Sequence, residues 1–134
     1  MLGAMIGDTL GSTFEFYPMK TKKFELLEKN SHFTDDTVMT VAVADSIMIG
    51  VPYLESLQKW GREYPRAGYG GWFKKWIYQD DPKPYNSFGN GSAMRCSSIG
   101  WLYNDEETVL EEAKKSAEIT HNHPEGIKGA QAVA

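Results

Sequence analysis

The feature that most constrains the fold is a run of twelve residues, 38–49, that is apolar on nearly every side. It reads Val-Met-Thr-Val-Ala-Val-Ala-Asp-Ser-Ile-Met-Ile. A surface helix is apolar along one stripe, whereas a helix that is apolar all round is buried among other elements. We therefore predict that residues 34–50 form the central helix of the domain, and that Asp45, the charge within it, has a partner.

The rest of the chain also has helical rather than strand periodicity. Apolar residues recur at helical spacing in further segments that begin near residues 2, 54, 72 and 107, and Pro124 is typical of the first turn of a last helix. No segment alternates apolar and polar residues for long enough to predict a strand. We therefore predict an all-α globular domain.

Two details of helix packing and capping are also predicted. Gly3, Gly7 and Gly11 recur every four residues on one face, which indicates close packing against another helix. Asn104 with Glu107 three residues later has the pattern of a capping box.

The composition excludes several classes of protein. A net charge of −4 and an isoelectric point near 5.3 give no basic surface for a nucleic-acid backbone. The one cysteine, Cys96, has no partner for an internal disulfide. The sequence shows no signal peptide and no membrane-spanning stretch. We expect a cytoplasmic protein with neither nucleic acid nor membrane as its main partner.

The central helix is preceded by Thr34-Asp35-Asp36-Thr37, two carboxylates between two hydroxyls. Carboxylate and hydroxyl oxygens are the ligands that Mg²⁺ and Mn²⁺ prefer. A threonine N-cap followed by an acidic first turn is also an ordinary start for a helix. The sequence leaves both interpretations open.

A second motif, Asn90-Gly91-Ser92-Ala93-Met94-Arg95, places small residues and a cation before a helical stretch. Backbone N–H groups in such a loop can hold a phosphate, although a glycine-rich turn is an equal alternative. Another glycine loop, residues 68–71, also lets the backbone approach a ligand closely.

Two further motifs carry titratable side chains. Thr120-His121-Asn122-His123-Pro124 holds two imidazoles, for which ligand hydrogen bonding or helix capping is favoured because no zinc ligand set is present. Glu15 stands among Phe14, Phe16 and Tyr17, where a carboxylate can serve as acid, base or gate, or can be a solvated helix-end residue.

Taken together, residues 3–15, Thr34-Asp35-Asp36-Thr37, residues 89–95 and residues 120–124 resemble the ADP-ribosylglycohydrolase family. The four motifs stand in the same order as in the family and span the chain. The resemblance implies an all-α fold and two Mg²⁺ or Mn²⁺ ions. It also implies hydrolysis of the glycosidic bond between ADP-ribose and a modified protein side chain or a small molecule.

The resemblance also implies roles for individual residues. The implied metal ligands are Thr34, Asp35 and Asp36. The implied catalytic residues are Glu15, Asp35 and Asp36. The implied substrate-binding residues, along the diphosphate and the ADP-ribose cleft, are Asn90, Gly91, Ser92, Met94 and His121.

One family motif has no counterpart in this sequence. Family members carry a later acidic Asp-x-Asp-Thr motif that supplies further metal ligands, and the chain ends abruptly on Ala132-Val133-Ala134. We therefore expect residues 1–134 to be the N-terminal part of a single truncated domain with half a metal site and negligible turnover. A non-catalytic ADP-ribose or nucleotide-binding module and a structural protein are the alternatives.

Overall fold

The computed structural model describes residues 1–134 and contains seven α-helices and no β-strand. The prediction of an all-α fold is confirmed. The helices are α1 (Leu2–Gly11), α2 (Asp35–Ile49), α3 (Tyr53–Glu63), α4 (Gly71–Trp76), α5 (Ile99–Leu102), α6 (Glu106–Glu118) and α7 (Pro124–Val133). Two single 3₁₀ turns, Asn90–Ser92 and Cys96–Ser98, lie between α4 and α5. No helix has both the length and the apolar character needed to cross a membrane.

Helix α2 is the central element, as its apolar sequence predicts. Seven of its residues are buried: Val38, Met39, Thr40, Ala42, Val43, Ala44 and Ser46. It packs against α3, where the buried Ser56 hydroxyl donates to the carbonyl of Ala42 at 2.7 Å. Asp45 accepts a hydrogen bond from the Trp60 indole at 2.8 Å and pairs with Lys59 at 3.2 Å, so its predicted partner is present.

The predicted cap of α6 is wrong by one residue. Asp105, not Asn104, is the N-cap, and its carboxylate accepts a hydrogen bond from the Thr108 amide at 2.8 Å. The side chain that accepts at an N-cap bonds the amide two or three residues further on. Asp105 meets that spacing with Thr108, which leaves Glu107 inside the first turn.

The glycine stripe of α1 does not mediate close helix packing. A Cβ atom added at Gly3, Gly7 or Gly11 would have no heavy atom within 4 Å. Leu2 and Ile6 on the same helix are 75% and 57% exposed, and α1 has no fully buried residue. A four-residue spacing shows which residues share a face, but it does not show that another element covers that face.

Many large apolar side chains are exposed. They include Leu2, Ile6, Phe16, Tyr17, Leu26, Leu27, Met48, Ile49, Trp72, Phe88 and Trp101. Leu2 and Ile6 belong to a single apolar groove with Met5, Leu10 and Leu27. Contiguous exposed apolar surface is uncommon in monomeric proteins and is a site of association.

We predict that the native chain binds the dye ANS, because ANS fluoresces on exposed apolar surface. Replacing Leu2 and Ile6 with serine removes part of the groove and should lower the fluorescence. Lys20→Ser, at an exposed polar position, is the control and should leave it unchanged. A folded chain with no dye response would contradict the prediction.

Candidate functional site

The site is organised by Asp8 of α1, whose carboxylate binds both threonines that flank the acidic pair. Thr34 donates its amide at 2.7 Å and its hydroxyl at 2.6 Å. Thr37 donates its amide at 3.2 Å and its hydroxyl at 2.5 Å. Asp8 lies 26 residues before Thr34, so the four hydrogen bonds join the first helix to the start of the central one.

Asp8 is a site residue that sequence reasoning missed. It stands inside the first motif, directly after Gly7, but nothing in its local sequence names Thr34 and Thr37 as its partners. Thr34 also accepts a hydrogen bond from the Asp36 amide at 3.3 Å, so the N-cap interpretation is confirmed. A hydroxyl oxygen has two lone pairs, so one remains on Thr34 for a further ligand.

Four carboxylates lie around this helix start. Asp8, Glu15 and Asp36 line one pocket of about 320 Å³ together with Thr34, and Asp35 lines the neighbouring cleft. None of the four forms an ion pair with a lysine or arginine. The group therefore carries uncompensated negative charge.

The pKa values of the acidic pair reflect this crowding. Burial, followed by the charge of Asp36 and then by Glu15 and Asp8, raises the pKa of Asp35 to about 6. Burial and the charges of Asp8 and Glu15 also raise the pKa of Asp36. A bound cation reverses such an effect because it favours the ionised carboxylate.

The donor set suits a hard cation in its chemistry. Thr34, Asp35 and Asp36 offer only oxygen, which is the preference of Mg²⁺ and Mn²⁺. Nowhere do three or more histidine, cysteine, aspartate or glutamate side chains converge closely enough to hold a metal ion. Within these residues a cation would depend on the acidic pair, the hydroxyl and water.

Glu15 occupies the rim of the acidic pocket. Its side chain is exposed, and the neighbouring Phe16 and Tyr17 are 79% and 82% exposed. Phe14 turns away and packs edge to face with Phe24 at 5.4 Å. Of the two alternatives that the sequence left open, the solvated residue agrees with this exposure. The charge of Glu15 contributes to the raised pKa of Asp35.

A cleft of about 230 Å³ adjoins the acidic pocket. Both glycine loops contribute to it, through Gly70 and Gly71 and through Gly89 and Gly91. Its other lining residues include Asp35, Asn90, Met94, Arg95 and His121. Three of the four sequence motifs therefore meet in one cleft, and the first motif, with Asp8 and Glu15, lines the adjoining pocket.

Asn90 connects the two spaces because it lines both the cleft and the acidic pocket. Gly91 allows the close approach of His121: a Cβ at Gly91 would lie 2.9 Å from Cε1 and Nε2 of that ring. Ser92 is different, since it is fully buried and its hydroxyl donates to the Gly126 carbonyl at 2.8 Å. Its side chain fixes the loop to α7 and does not line the cleft.

Arg95 is a buried cation beneath the loop. It is 1% exposed, and its guanidinium donates to the carbonyl of Ser116 and, at 2.9 Å, to the hydroxyl of Thr120. Its buried Nε atom has no partner. Burial lowers its pKa to about 10, so the group remains charged at neutral pH without a carboxylate beside it.

His123 and Cys96 have structural positions. His123 is the N-cap of α7, and its Nδ1 atom accepts from the Glu125 amide at 3.1 Å. Cys96 is buried with its sulfur 3.1 Å from the carbonyl of Ala130, and burial raises the pKa of its thiol to about 11. A thiol of this kind is a core residue and a poor nucleophile.

The fold and site define a class: an all-helical domain in which an acidic cluster at a helix start adjoins a glycine-lined cleft. The family model described as ADP-ribosylglycohydrolase matches residues 1–134. The chain therefore belongs to the ADP-ribosylglycohydrolase family, as the four sequence motifs predict.

Individual relatives agree with this assignment. The chain is 29% identical to ADP-ribosylhydrolase ARH3 of Xenopus tropicalis, over 97% of this chain and 46% of that protein. It is 29% identical to ARH3 of Mus musculus, over 97% and 45%. It is 30% identical to ARH3 of Gallus gallus, over 97% and 46%. The chain thus spans about half the length of the curated relatives it matches.

We predict that Asp8→Asn destabilises the chain by about 2–3 kcal/mol, because an amide presents one acceptor fewer and sets its NH₂ group against two donor threonines. Urea unfolding monitored by circular dichroism measures the change. Asp105→Asn is the control, since asparagine caps a helix as well as aspartate does. An equal, small effect of both substitutions would contradict the Asp8 assignment.

A pH prediction follows from the raised pKa of Asp35. The native pKa near 6 exceeds the unfolded value of about 3.9, so the native state binds the proton more tightly. The contribution of Asp35 to the free energy of unfolding of the metal-free chain should therefore fall as the pH rises from 4 to 7. After allowance for solvent screening at this half-buried site, we expect a loss of about 1–2 kcal/mol.

Asp35→Asn should remove this loss and stabilise the chain at pH 7 without stabilising it at pH 4. Asp45→Asn is the control, and its effect on stability should change with pH in the opposite direction. The Trp60 hydrogen bond lowers the pKa of Asp45. Asp45 therefore stabilises the fold above its unfolded pKa, and this stabilisation is lost as the pH falls. A pH-independent effect of Asp35→Asn would show that its burial does not perturb its titration.

Proposed function

We propose that this chain carries part of the active centre of a hydrolase that cleaves the glycosidic bond between ADP-ribose and a protein side chain or small molecule. The observation that carries the proposal is the junction at Asn90, which lines both the glycine cleft and the acidic pocket. A ligand that occupies both spaces has its phosphates near the loop and its reactive ribose near the carboxylates.

The charge distribution supports this orientation. The buried Arg95 guanidinium lies under the loop, where a positive potential favours a diphosphate. The glycine residues expose backbone at the same end, and backbone N–H groups are good phosphate ligands. The unpaired carboxylates lie at the other end, where they would repel phosphate and leave room for a neutral sugar.

We assign Thr34, Asp35 and Asp36 as ligands of the two Mg²⁺ or Mn²⁺ ions that the family implies. When bound, such ions orient the ribose hydroxyls and stabilise charge as the glycosidic bond breaks. The further ligands are water and residues outside this half of the relatives' length. For this reason we expect the 134-residue chain alone to have negligible turnover.

The protein residues have separate tasks in this proposal. Asp8 holds both threonines and so fixes the direction of the acidic pair. Glu15 lines the same pocket as Asp36, and we propose that this exposed carboxylate accepts a proton from the attacking water. The proposed path of the ADP-ribose is lined by Asn90, Gly91, Met94 and His121. Ser92 supports this path indirectly, because it holds the loop backbone in place.

A non-catalytic ADP-ribose-binding module is the second candidate. It is favoured because the acidic side chains around the start of α2 do not lie close enough together to hold a metal ion by themselves. Neutral groups line the cleft together with the charged Asp35 and Arg95, so a ligand can contact the cleft without a metal ion. Dependence of binding on the acidic pair distinguishes this module from the hydrolase.

The test is a calorimetric titration of ADP-ribose in Mg²⁺, made with the wild type and with Asp35→Asn plus Asp36→Asn. The hydrolase proposal predicts that the double substitution weakens binding by at least tenfold, since the ribose end loses its cations. The matched control is Asp80→Asn plus Asp81→Asn, another adjacent acidic pair, which is exposed and does not line the cleft.

Each result has a definite reading. Binding that the site variant does not weaken would favour the binding module. Binding that is abolished by Gly91→Ala, whose Cβ would displace the His121 ring, would place the ligand in the glycine cleft. A wild-type chain that binds no ADP-ribose, or one that releases it rapidly from a conjugate in Mg²⁺, would contradict the proposal as stated.

A further inference from the structure

The hydrogen bonds behind the cleft determine which nitrogen of His121 carries its proton. The hydroxyl oxygen of Thr120 lies 2.8 Å from Nδ1 of His121 and 2.9 Å from a guanidinium nitrogen of Arg95. Thr120 is fully buried, so its hydroxyl has no contact with bulk solvent. The number of protons available to the hydrogen bonds between Arg95, Thr120 and His121 therefore decides which atom donates in each.

Arginine is protonated in proteins and donates only, so the Thr120 oxygen accepts from Arg95. That leaves the single hydroxyl proton of Thr120, which needs an acceptor. If Nδ1 of His121 also donated, the hydroxyl proton would be buried without a partner, at a cost of about 1–3 kcal/mol. The hydroxyl therefore donates to Nδ1, and the imidazole proton resides on Nε2.

We propose that Arg95 and Thr120 are positioning residues that hold His121 as the neutral Nε2–H tautomer, so that it donates a hydrogen bond to an oxygen of the bound ligand. The inference rests on the proposed function, because the ligand oxygen would belong to the diphosphate or a ribose hydroxyl of ADP-ribose. Arg95 and Thr120 would affect ligand binding through His121 and not by contact with the ligand.

The surroundings of the ring agree with this role. Within the chain His121 makes its side-chain hydrogen bond through Nδ1 only. The Nε2 edge lies at Gly91, on the loop that lines the cleft with His121. Tyr85 packs on the ring at 6.0 Å between centroids, which keeps the ring in this orientation. The orientation of the Nε2–H donor is therefore set by the packing of Tyr85 on the ring and by the hydrogen bond from Thr120 to Nδ1.

The charge state is consistent with a neutral donor. Burial and then the nearby Arg95 charge lower the pKa of His121 to about 4, so the ring is uncharged at neutral pH. An uncharged ring has one N–H group, and the identity of the protonated nitrogen decides whether the cleft edge donates or accepts. With the other tautomer, Nε2 would present a lone pair to a phosphate oxygen and repel it.

The proposal is tested without ligand by long-range ¹H–¹⁵N NMR of the chain labelled at histidine. His121→Gln assigns the signals of His121 against those of His32 and His123. The wild type should show a protonated Nε2 and an unprotonated Nδ1 at pH 7. Thr120→Val should shift the population toward the Nδ1–H form, whereas Thr120→Ser, which keeps the hydroxyl, should not.

The second readout is the affinity for ADP-ribose of the same variants. Thr120→Val should weaken binding about tenfold, the effect of one lost hydrogen bond, and Thr120→Ser should restore it to within about twofold. Arg95→Gln tests the first link and should alter the tautomer population. If that variant does not fold, the valine and serine variants decide the question, because they leave the buried cation in place.

Failure of the tautomer inference can be distinguished from failure of the proposed function. A wild-type ring protonated on Nδ1, or a Thr120→Val ring whose tautomer and affinity are unchanged, would overturn the inference whatever the chain binds. A ring with the expected tautomer and the expected response, in a chain that binds no ADP-ribose, would support the positioning role of Thr120 and refute the proposed ligand.

Discussion

The carboxylate of Asp8 is the interaction on which the acidic half of the site depends. Helix α1 has no fully buried residue, so packing alone does not fix its position. Its contact with α2 is instead defined by four hydrogen bonds from Thr34 and Thr37 to one carboxylate. Because Glu15 follows the same helix, these bonds also determine where a third carboxylate stands relative to Asp36.

Charge in the site is left uncompensated at both ends. The carboxylates around the start of α2 have no basic partner, and the buried Arg95 has no acidic one. Isolated buried or crowded charges are destabilising, and they concentrate where a ligand supplies the missing partner. A ligand with phosphates at one end would complement Arg95, and cations bound at its other end would complement the carboxylates. The proposed substrates, which are conjugates of ADP-ribose, have this distribution of charge.

The features that were predictable from sequence are those that depend on neighbours along the chain. The burial of α2 follows from its apolar composition, and Thr34 caps it because the next amides lie within reach of its hydroxyl. Pro124 begins α7 for an equally local reason. The Asn104 cap is a near miss of one residue. The glycine stripe of α1 is a larger error, because close packing requires a second element that the spacing does not reveal.

The sequence by itself determined the all-helical class, the central helix with its Thr34 cap, the family and the residue types of the site, because each is encoded in short spacings and local motifs. Only the tertiary structure decided that Asp8 holds both threonines, that Ser92 faces α7 instead of the cleft, and that Arg95 reaches His121 through Thr120. The long-range contacts among these join residues 25 to 34 positions apart. Such pairings follow from the packing of whole elements, so no local pattern specifies them.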